Sequence, residues 1–208
     1  WDKASRRVMP PLYPKAAYRS SLGTDTTCDG SRYDKEGQAL PLRVENLPPV
    51  KMLAAGARHI LVLTRDGEVI GWGHSKQGQV GVFAECQKKR KIEGIPGKVS
   101  RVFAGFHHSG VLTDEGAVWV WGNNTRWDGS VLMGVLGIGP NRNFWSTPVP
   151  PLSMDGGVVY VSSSSDSNVA IKSDGTVWVW GRNDTGQLGT GNREHQLVPV
   201  QIKLPDMP

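Results

Sequence analysis

Ser173-Asp174-Gly175-Thr176-Val177-Trp178-Val179-Trp180-Gly181-Arg182-Asn183-Asp184-Thr185-Gly186-Gln187-Leu188-Gly189 decides the fold, because the rest of the chain reads as copies of it, connectors and insertions. An Asp-Gly turn opens onto a short apolar run. Trp178 and Trp180 share one face of that run and Val177 and Val179 the other, which is the two-residue period of a strand. Apolar residues on both faces suit a strand covered on both sides. Trp-Gly ends the run, and Gly-Gln-Leu-Gly follows as a glycine-dependent loop.

The acidic-Gly turn recurs at Asp66-Gly67, Glu115-Gly116 and Asp174-Gly175, and the Trp-Gly pair at Trp72-Gly73, Trp121-Gly122 and Trp180-Gly181. Both landmarks step by 49 and then 59 residues, so the unit is constant and one connector is longer by ten. Upstream, Val50 to Gly56 matches Val99 to Gly105, and each Gly is followed three residues later by a histidine, His59 or His108. The third copy has Ser164 and Ser167 at these two places. Val158 to Val161 and Val169 to Ile171 keep strand register around it, so residues 162–165 read as a degenerate strand rather than a polar linker. Asp-Gly between apolar runs signals a hairpin, and carboxylates at Asp66, Glu115 and Asp174 suit local backbone hydrogen bonds there. A proline-marked fourth segment recurs at residues 41–48, at Pro148-Val149 and at 199–205, as expected for an edge strand. The units are therefore 50–98, 99–157 with a loop insertion, and 158–208. Leu22-Gly23-Thr24 echoes Leu188-Gly189-Thr190, so residues 1–49 read as the tail of a preceding unit with an enlarged loop.

Gly-x-x-His, acidic-Gly, Trp-Gly and Gly-Gln-x-Gly at these spacings resemble the regulator of chromosome condensation repeat family, over about residues 37–208. The resemblance implies an all-β protein: a β-propeller of four-stranded blades, here a partial ring of about three full blades plus part of a fourth. WD-repeat and kelch propellers are the structural alternatives. Gly78-Gln79-Val80-Gly81 and Gly186-Gln187-Leu188-Gly189 favour the first family, whereas Gly134-Val135-Leu136-Gly137 lacks the Gln. On this reading His59, Gly67, Trp72, His108, Gly116, Trp121, Gly175 and Trp180 are structural repeat positions. Propellers close with 4–8 blades, so further blades are expected from a missing part of the chain or from another chain.

Composition narrows the function. The 208 residues include 26 Gly, 14 Pro and 8 Trp, a turn-rich strand composition, and the net charge of +5 on 21% charged residues describes a mildly basic surface. Cys28 and Cys86 lie far apart in no metal-ligand spacing, which fits free thiols and an intracellular location. Asn123-Asn124-Thr125 and Asn183-Asp184-Thr185 match the glycosylation sequon, but asparagine in glycine-rich turns has its own explanation. No apolar run reaches the roughly 20 residues of a membrane span. No phosphate loop, nucleophile elbow or acid–base pair is visible, so the expectation is a non-enzymatic protein without cofactor or metal.

Residues the repeat does not require are the candidate contacts. Lys88, Lys89, Arg90 and Lys91 put four consecutive cations in what reads as a connector, solvated or poised for an acidic protein or nucleic-acid phosphates. Arg126 and Trp127 mark the insertion, with the makings of an interface anchor; packing of Trp127 on its own blade, with Trp145 as partner, is the alternative. Arg6, Arg7, Tyr13, Tyr18 and Arg19 mix cations and aromatics in the N-terminal loop. The expected function is a protein-binding interaction or scaffold module in a larger assembly. Guanine-nucleotide exchange on a small GTPase, an activity of the resembled family, is one alternative, and a nucleic-acid or ribonucleoprotein-associated factor is another.

Overall fold

The structure is a computed structural model, described here for residues 44–126, 129–140 and 145–203. Its regular elements among these residues are all strands, arranged as three four-stranded antiparallel sheets in chain order. The first sheet holds β1 (Val50–Ala55), β2 (His59–Thr64), β3 (Val69–Ser75) and β4 (Ala84–Lys91). The second holds β5 (Val99–Ala104), β6 (His108–Thr113), β7 (Val118–Gly122) and β8 (Trp145–Val149). The third holds β9 (Val158–Ser164), β10 (Ser167–Lys172), β11 (Val177–Gly181) and β12 (Gln196–Ile202). They are blades of a β-propeller whose first strands lie innermost, since β5 neighbours both β1 and β9.

The hairpin turn is a three-residue loop. Gly67 N–H donates to Thr64 O at 3.1 Å and Thr64 N–H to Glu68 O at 2.9 Å, with Gly67 at φ +87°. That is a type I turn closed by a left-handed glycine, and Gly116 and Gly175 repeat it. The acidic residue is not what ties the turn in the first two blades. There the hydroxyls of Thr64 and Thr113 accept the amides of Glu68 and Ala117 at 3.0 and 3.1 Å. In the third blade Lys172 stands at the threonine position, and Asp174 Oδ1 takes the matching amide of Thr176 at 2.9 Å. The carboxylate expectation therefore describes Asp174, while a threonine supplies the acceptor elsewhere.

The hydrophobic core sits between blades. Leu61, Leu63, Val69, Val80 and Ile92 of the first blade meet Val99, Val102, Val111 and Trp121 of the second. Phe103, Leu112, Val118, Val120 and Leu136 of the second meet Val158, Val161, Ala170 and Trp180 of the third. Trp178 packs on the same cluster as Trp180, as the alternation in the opening stretch requires.

A polar latch runs through each junction. His59 Nε2–H donates to Ser109 Oγ at 2.8 Å, and Ser109 Oγ–H donates to the Gln79 carbonyl at 2.8 Å. The Trp121 indole N–H reaches that same carbonyl at 3.0 Å. One blade on, His108 Nε2–H donates to Asn168 Oδ1 at 2.9 Å, while Asn168 Nδ2–H and the Trp180 indole both donate to the Val135 carbonyl, at 2.9 and 3.1 Å. The repeat histidines are thus bonded through Nε2, and each leaves its buried Nδ1 without a partner.

Two glycines make the latch possible. A Cβ on Gly56 would lie 2.1 Å from His59 Cε1 and 2.6 Å from Gly105 O, and one on Gly105 would lie 2.0 Å from His108 Cε1 and 2.4 Å from Ser165 O. Glycine and histidine interlock, and the glycine also receives the next blade's loop. Ser164 and Ser167 in the third blade are a joint departure: with no imidazole beneath it, position 164 tolerates a side chain.

The insertion sits inside a loop framework that recurs in all three blades. Val80, Leu136 and Leu188 each donate their backbone N–H to a side chain three residues after the Trp of Trp-Gly: Ser75, Asn124 and Asn183, at 2.9, 2.8 and 2.9 Å. In the second blade Thr125 and Leu132, on either side of the insertion, form a β-bridge, and Gly129 N–H donates to Arg126 O at 2.8 Å. Both sequon asparagines are consumed by these loops. Asn183 is fully buried with Nδ2 bonded to Thr190 Oγ1 and to the carbonyls of Asn192 and Glu194, and Asn123 is 3% exposed. A glycan has no room on either in the folded chain.

Candidate functional site

The loops that join first to second and third to fourth strands open at one end of the blades, because His59, His108 and Ser167 pair with Gly73, Gly122 and Gly181. Close to the innermost strands the first-to-second loops are strung together. Ala57 N–H donates to Phe106 O at 3.3 Å, and Phe106 N–H to Ser165 O at 2.7 Å. This ladder holds the Phe106 side chain outward, 46% exposed, with its ring edge-to-face on buried His107 at 4.6 Å.

Beneath Phe106 lies a cluster from two blades. The rings of His74 and His107 are 6.3 Å apart and tilted by 49°. The Gln79 side-chain amide donates to His74 Nδ1 at 3.1 Å, so the His74 proton is on Nε2. The backbone N–H of His74 is fixed to Arg58 O at 2.8 Å. Burial, the neighbouring His74 and the charge of Arg58 push the His107 pKa down to about 4. Burial and Arg58 also lower that of His74, against an upward pull from Glu85. At neutral pH these imidazoles are uncharged hydrogen-bonding groups under an exposed phenyl ring, beside a guanidinium. Further out at the same end Phe83 is 54% exposed.

The buried histidines give the fold an acid limit. Burial lowers His59 to about 3 and His108 to about 4, and His107 stands at about 4. The unfolded chain takes up protons near 6.5 and the folded chain does not, so their stability contribution is whole above 6.5 and lost as pH falls toward 4. Each histidine then costs up to about 1.4 kcal/mol per pH unit in that window. Denaturant melts at pH 7.5, 6.0 and 5.0 are expected to show steadily falling midpoints, with a shallower decline in His107→Gln.

The basic run lies elsewhere than expected. Lys88 to Lys91 are not in a connector but in β4, the outermost strand, with Arg90 opposite Gly71 and Lys91 opposite Ile70. An outer strand has one edge in water, so cations are tolerated there. Lys91 Nζ pairs with Glu68 at 2.7 Å, and Lys89 Nζ donates to Glu45 O. Lys88 is exposed. Arg126 is exposed, next to the Thr125–Leu132 bridge. Trp127 and the N-terminal loop with Arg6, Arg7, Tyr13, Tyr18 and Arg19 lie outside the described residues. The structure thus separates the basic run, on the outer edge, from Arg126, on a loop.

Sequence reasoning missed Phe106, Arg58 and His74. The available signal was Phe106 itself, a large aromatic at a Gly-x-x-His position that is Ala57 in the first blade and Ser165 in the third. Among the described residues no group of three or more His, Cys, Asp and Glu is placed to hold a metal, and no helix is long and apolar enough to cross a membrane.

Models of the Regulator of chromosome condensation (RCC1) repeat match residues 50–79, 99–126, 158–187 and 174–207. The chain is 30% identical over 171 residues to the probable E3 ubiquitin-protein ligase HERC4 of Rattus norvegicus, covering 78% of this chain and 15% of that protein. It is 29% identical over 178 residues to the ultraviolet-B receptor UVR8 of Arabidopsis thaliana, covering 83% of this chain and 39% of the receptor. Among solved structures, yeast RCC1 (Prp20) bound to Kap60 superposes with a TM-score of 0.74 at 23% identity, over 90% of this chain and 43% of that one. A second structure of Prp20p from Saccharomyces cerevisiae gives 0.69 at 24% identity, over 80% and 41%. This chain therefore spans less than half the length of each of these relatives. Its repeats, matched over more than half of its residues and folded into RCC1-type blades, make the chain a member of the regulator of chromosome condensation (RCC1) repeat family.

Proposed function

We propose that this chain is a non-catalytic, protein-binding propeller segment that engages a partner protein through the loop end over the first blade junction. The observation that carries the reading is Phe106: a phenyl ring left 46% exposed on a backbone ladder that fixes it, beside Arg58 and above two uncharged imidazoles. A rigid exposed aromatic next to an arginine is the composition of an interface hot spot. The relatives support protein contact in general terms, since the Prp20p structures concern binding to Kap60, Gsp1p and histones.

A photo-crosslinking phenylalanine analogue placed at position 106 tests it, with the same analogue at exposed Val159 as control. The expected result is a discrete protein adduct from position 106 alone. Phe106→Ala is then expected to weaken binding of that protein at least tenfold with an unchanged melting temperature. Crosslinks to nucleic acid, with binding lost on changing Lys88 to Lys91 to alanine and at high salt, would favour the nucleic-acid reading. If the adduct is a small GTPase, a nucleotide-release assay separates exchange activity from simple binding.

A further inference from the structure

We infer that the outer edge of β4 is a docking site for an extended acidic peptide, which adds to the first blade as a fifth strand. β4 is the longest of the three outer strands, 8 residues against 5 in β8 and 7 in β12. Among the described residues it pairs with β3 on one side and with no strand on the other. Blades stack face to face, as the two core clusters show, so a neighbouring blade covers a sheet face and leaves this rim open.

The other two outer edges are blunted by proline. Arg90 stands opposite Gly71, Val149 opposite Val120 and Val200 opposite Val179, each partner lying one residue before the Trp of Trp-Gly. The preceding position is Lys89 in β4, Pro148 in β8 and Pro199 in β12. Proline has no N–H to offer an added strand, which suits it to an edge. β4 keeps that N–H. On the other side of Arg90, Ile92 N–H donates inward to Val69 O at 2.8 Å, which turns the backbone groups of Lys91 outward by the alternation of an antiparallel ladder. The Lys91 carbonyl accepts Arg90 Nε–H at a long 3.4 Å, a contact in water that an incoming amide would replace.

What guards this edge is charge. Lys88, Lys89, Arg90 and Lys91 follow one another along it, and charged side chains keep one exposed edge from pairing with another. Lys91 is paired with Glu68 at 2.7 Å, and Lys89 Nζ donates to the Glu45 carbonyl. Among the described residues neither Lys88 nor Arg90 meets a carboxylate. A second copy of this chain, pairing β4 with β4, would set cations against cations, which is destabilising. A strand with carboxylates on alternate residues turns the same repulsion into attraction. The register shift between Arg90 and Gln87 bends β4, so the ladder on offer is short and charge must carry much of the affinity. Nucleic-acid phosphates would also neutralise the cations, but they would leave the edge amides of Lys89 and Lys91 unpaired. An added peptide strand answers both.

The probe is the capped peptide Glu-Val-Glu-Ile-Glu-Val-Glu, fluorescently labelled and titrated with the intact chain at low salt. Saturating peptide is expected to slow amide exchange at Lys89 and Lys91 at least tenfold. Lys89→Ala removes one exposed charge and is expected to weaken binding about threefold, and Lys88→Ala with Arg90→Ala about fivefold. Lys89→Pro also removes the edge N–H and is expected to weaken binding at least a further tenfold beyond Lys89→Ala. Its melting temperature is expected to match that of Lys89→Ala, because the other two blades hold proline at this place. Phe106→Ala is expected to leave the affinity unchanged, since the loop end is a separate surface. Equal affinities of Lys89→Pro and Lys89→Ala overturn strand addition. So does undiminished binding of the peptide N-methylated at alternate residues, which tests the same ladder without altering the protein. Loss of binding in Phe106→Ala puts the peptide at the loop end and overturns this site. Tighter binding of an oligothymidine of matching length, unaffected by Lys89→Pro, overturns the choice of a peptide.

Discussion

Trp180→Ala is expected to lower the unfolding free energy by about 3–5 kcal/mol. Trp180 is fully buried, and its ring lies in the cluster that joins the second and third blades, against residues such as Leu136 and Phe103. Its indole also supplies one of the two donors on the buried Val135 carbonyl. Truncation removes both contributions and opens a cavity at a junction, where each blade depends on its neighbour for half of its core. Trp180→Phe keeps most of the apolar area and loses only the indole hydrogen bond, so about 1–2 kcal/mol is expected. Trp178 is half-buried at the edge of the same cluster, and Trp178→Ala is expected to cost clearly less than Trp180→Ala. Urea melts followed by circular dichroism decide the order. Equal losses for the two alanine variants contradict the role assigned to the latch.

What was legible in the sequence was what each blade imposes locally. Trp178 and Trp180 on one face, the left-handed glycine of the hairpin and the glycine after each tryptophan are all demanded within a few residues. The junctions were less legible because half of each latch is backbone. Nothing in the side chains of Gln79 and Val135 reveals that the carbonyl of each holds an indole. Lys88 to Lys91 read as a connector because an outer strand with water along one edge needs no apolar alternation, and this unit lacks the proline that marks β8 and β12. Phe106 escaped notice because its position within Gly-x-x-His is one the motif leaves free, and only the ladder of loop amides shows that its ring is held outward.

Gly105→Ala is expected to be a severely damaging single-methyl addition, costing about 3 kcal/mol, the upper end of the usual range for overpacking. Its backbone is not in the left-handed region, so alanine itself is conformationally acceptable and would gain about 0.5 kcal/mol through the unfolded chain. The contacts decide against it. The new Cβ meets His108 Cε1 at 2.0 Å and the Ser165 carbonyl at 2.4 Å, and neither is the free end of a flexible side chain. The imidazole is pinned by Asn168, and the carbonyl belongs to the ladder that receives the Phe106 amide. Gly67→Ala is the contrast: nothing lies within 4 Å of its Cβ, but φ is +87°, so about 1 kcal/mol of backbone strain is expected and no junction is disturbed. Gly105→Ser with His108→Ser copies the third blade's pair and removes one of the two clashes. The double variant is therefore expected to be about 1 kcal/mol less destabilised than the sum of the single changes, a coupling of the size seen between residues in contact. Amide exchange gives the local readout, since Gly105→Ala should speed exchange at Ala57 and Phe106 while Gly67→Ala leaves both protected. Simple additivity of the two serine changes would mean that the glycine and the histidine do not interlock, and Ser164 with Ser167 would then be two unrelated substitutions.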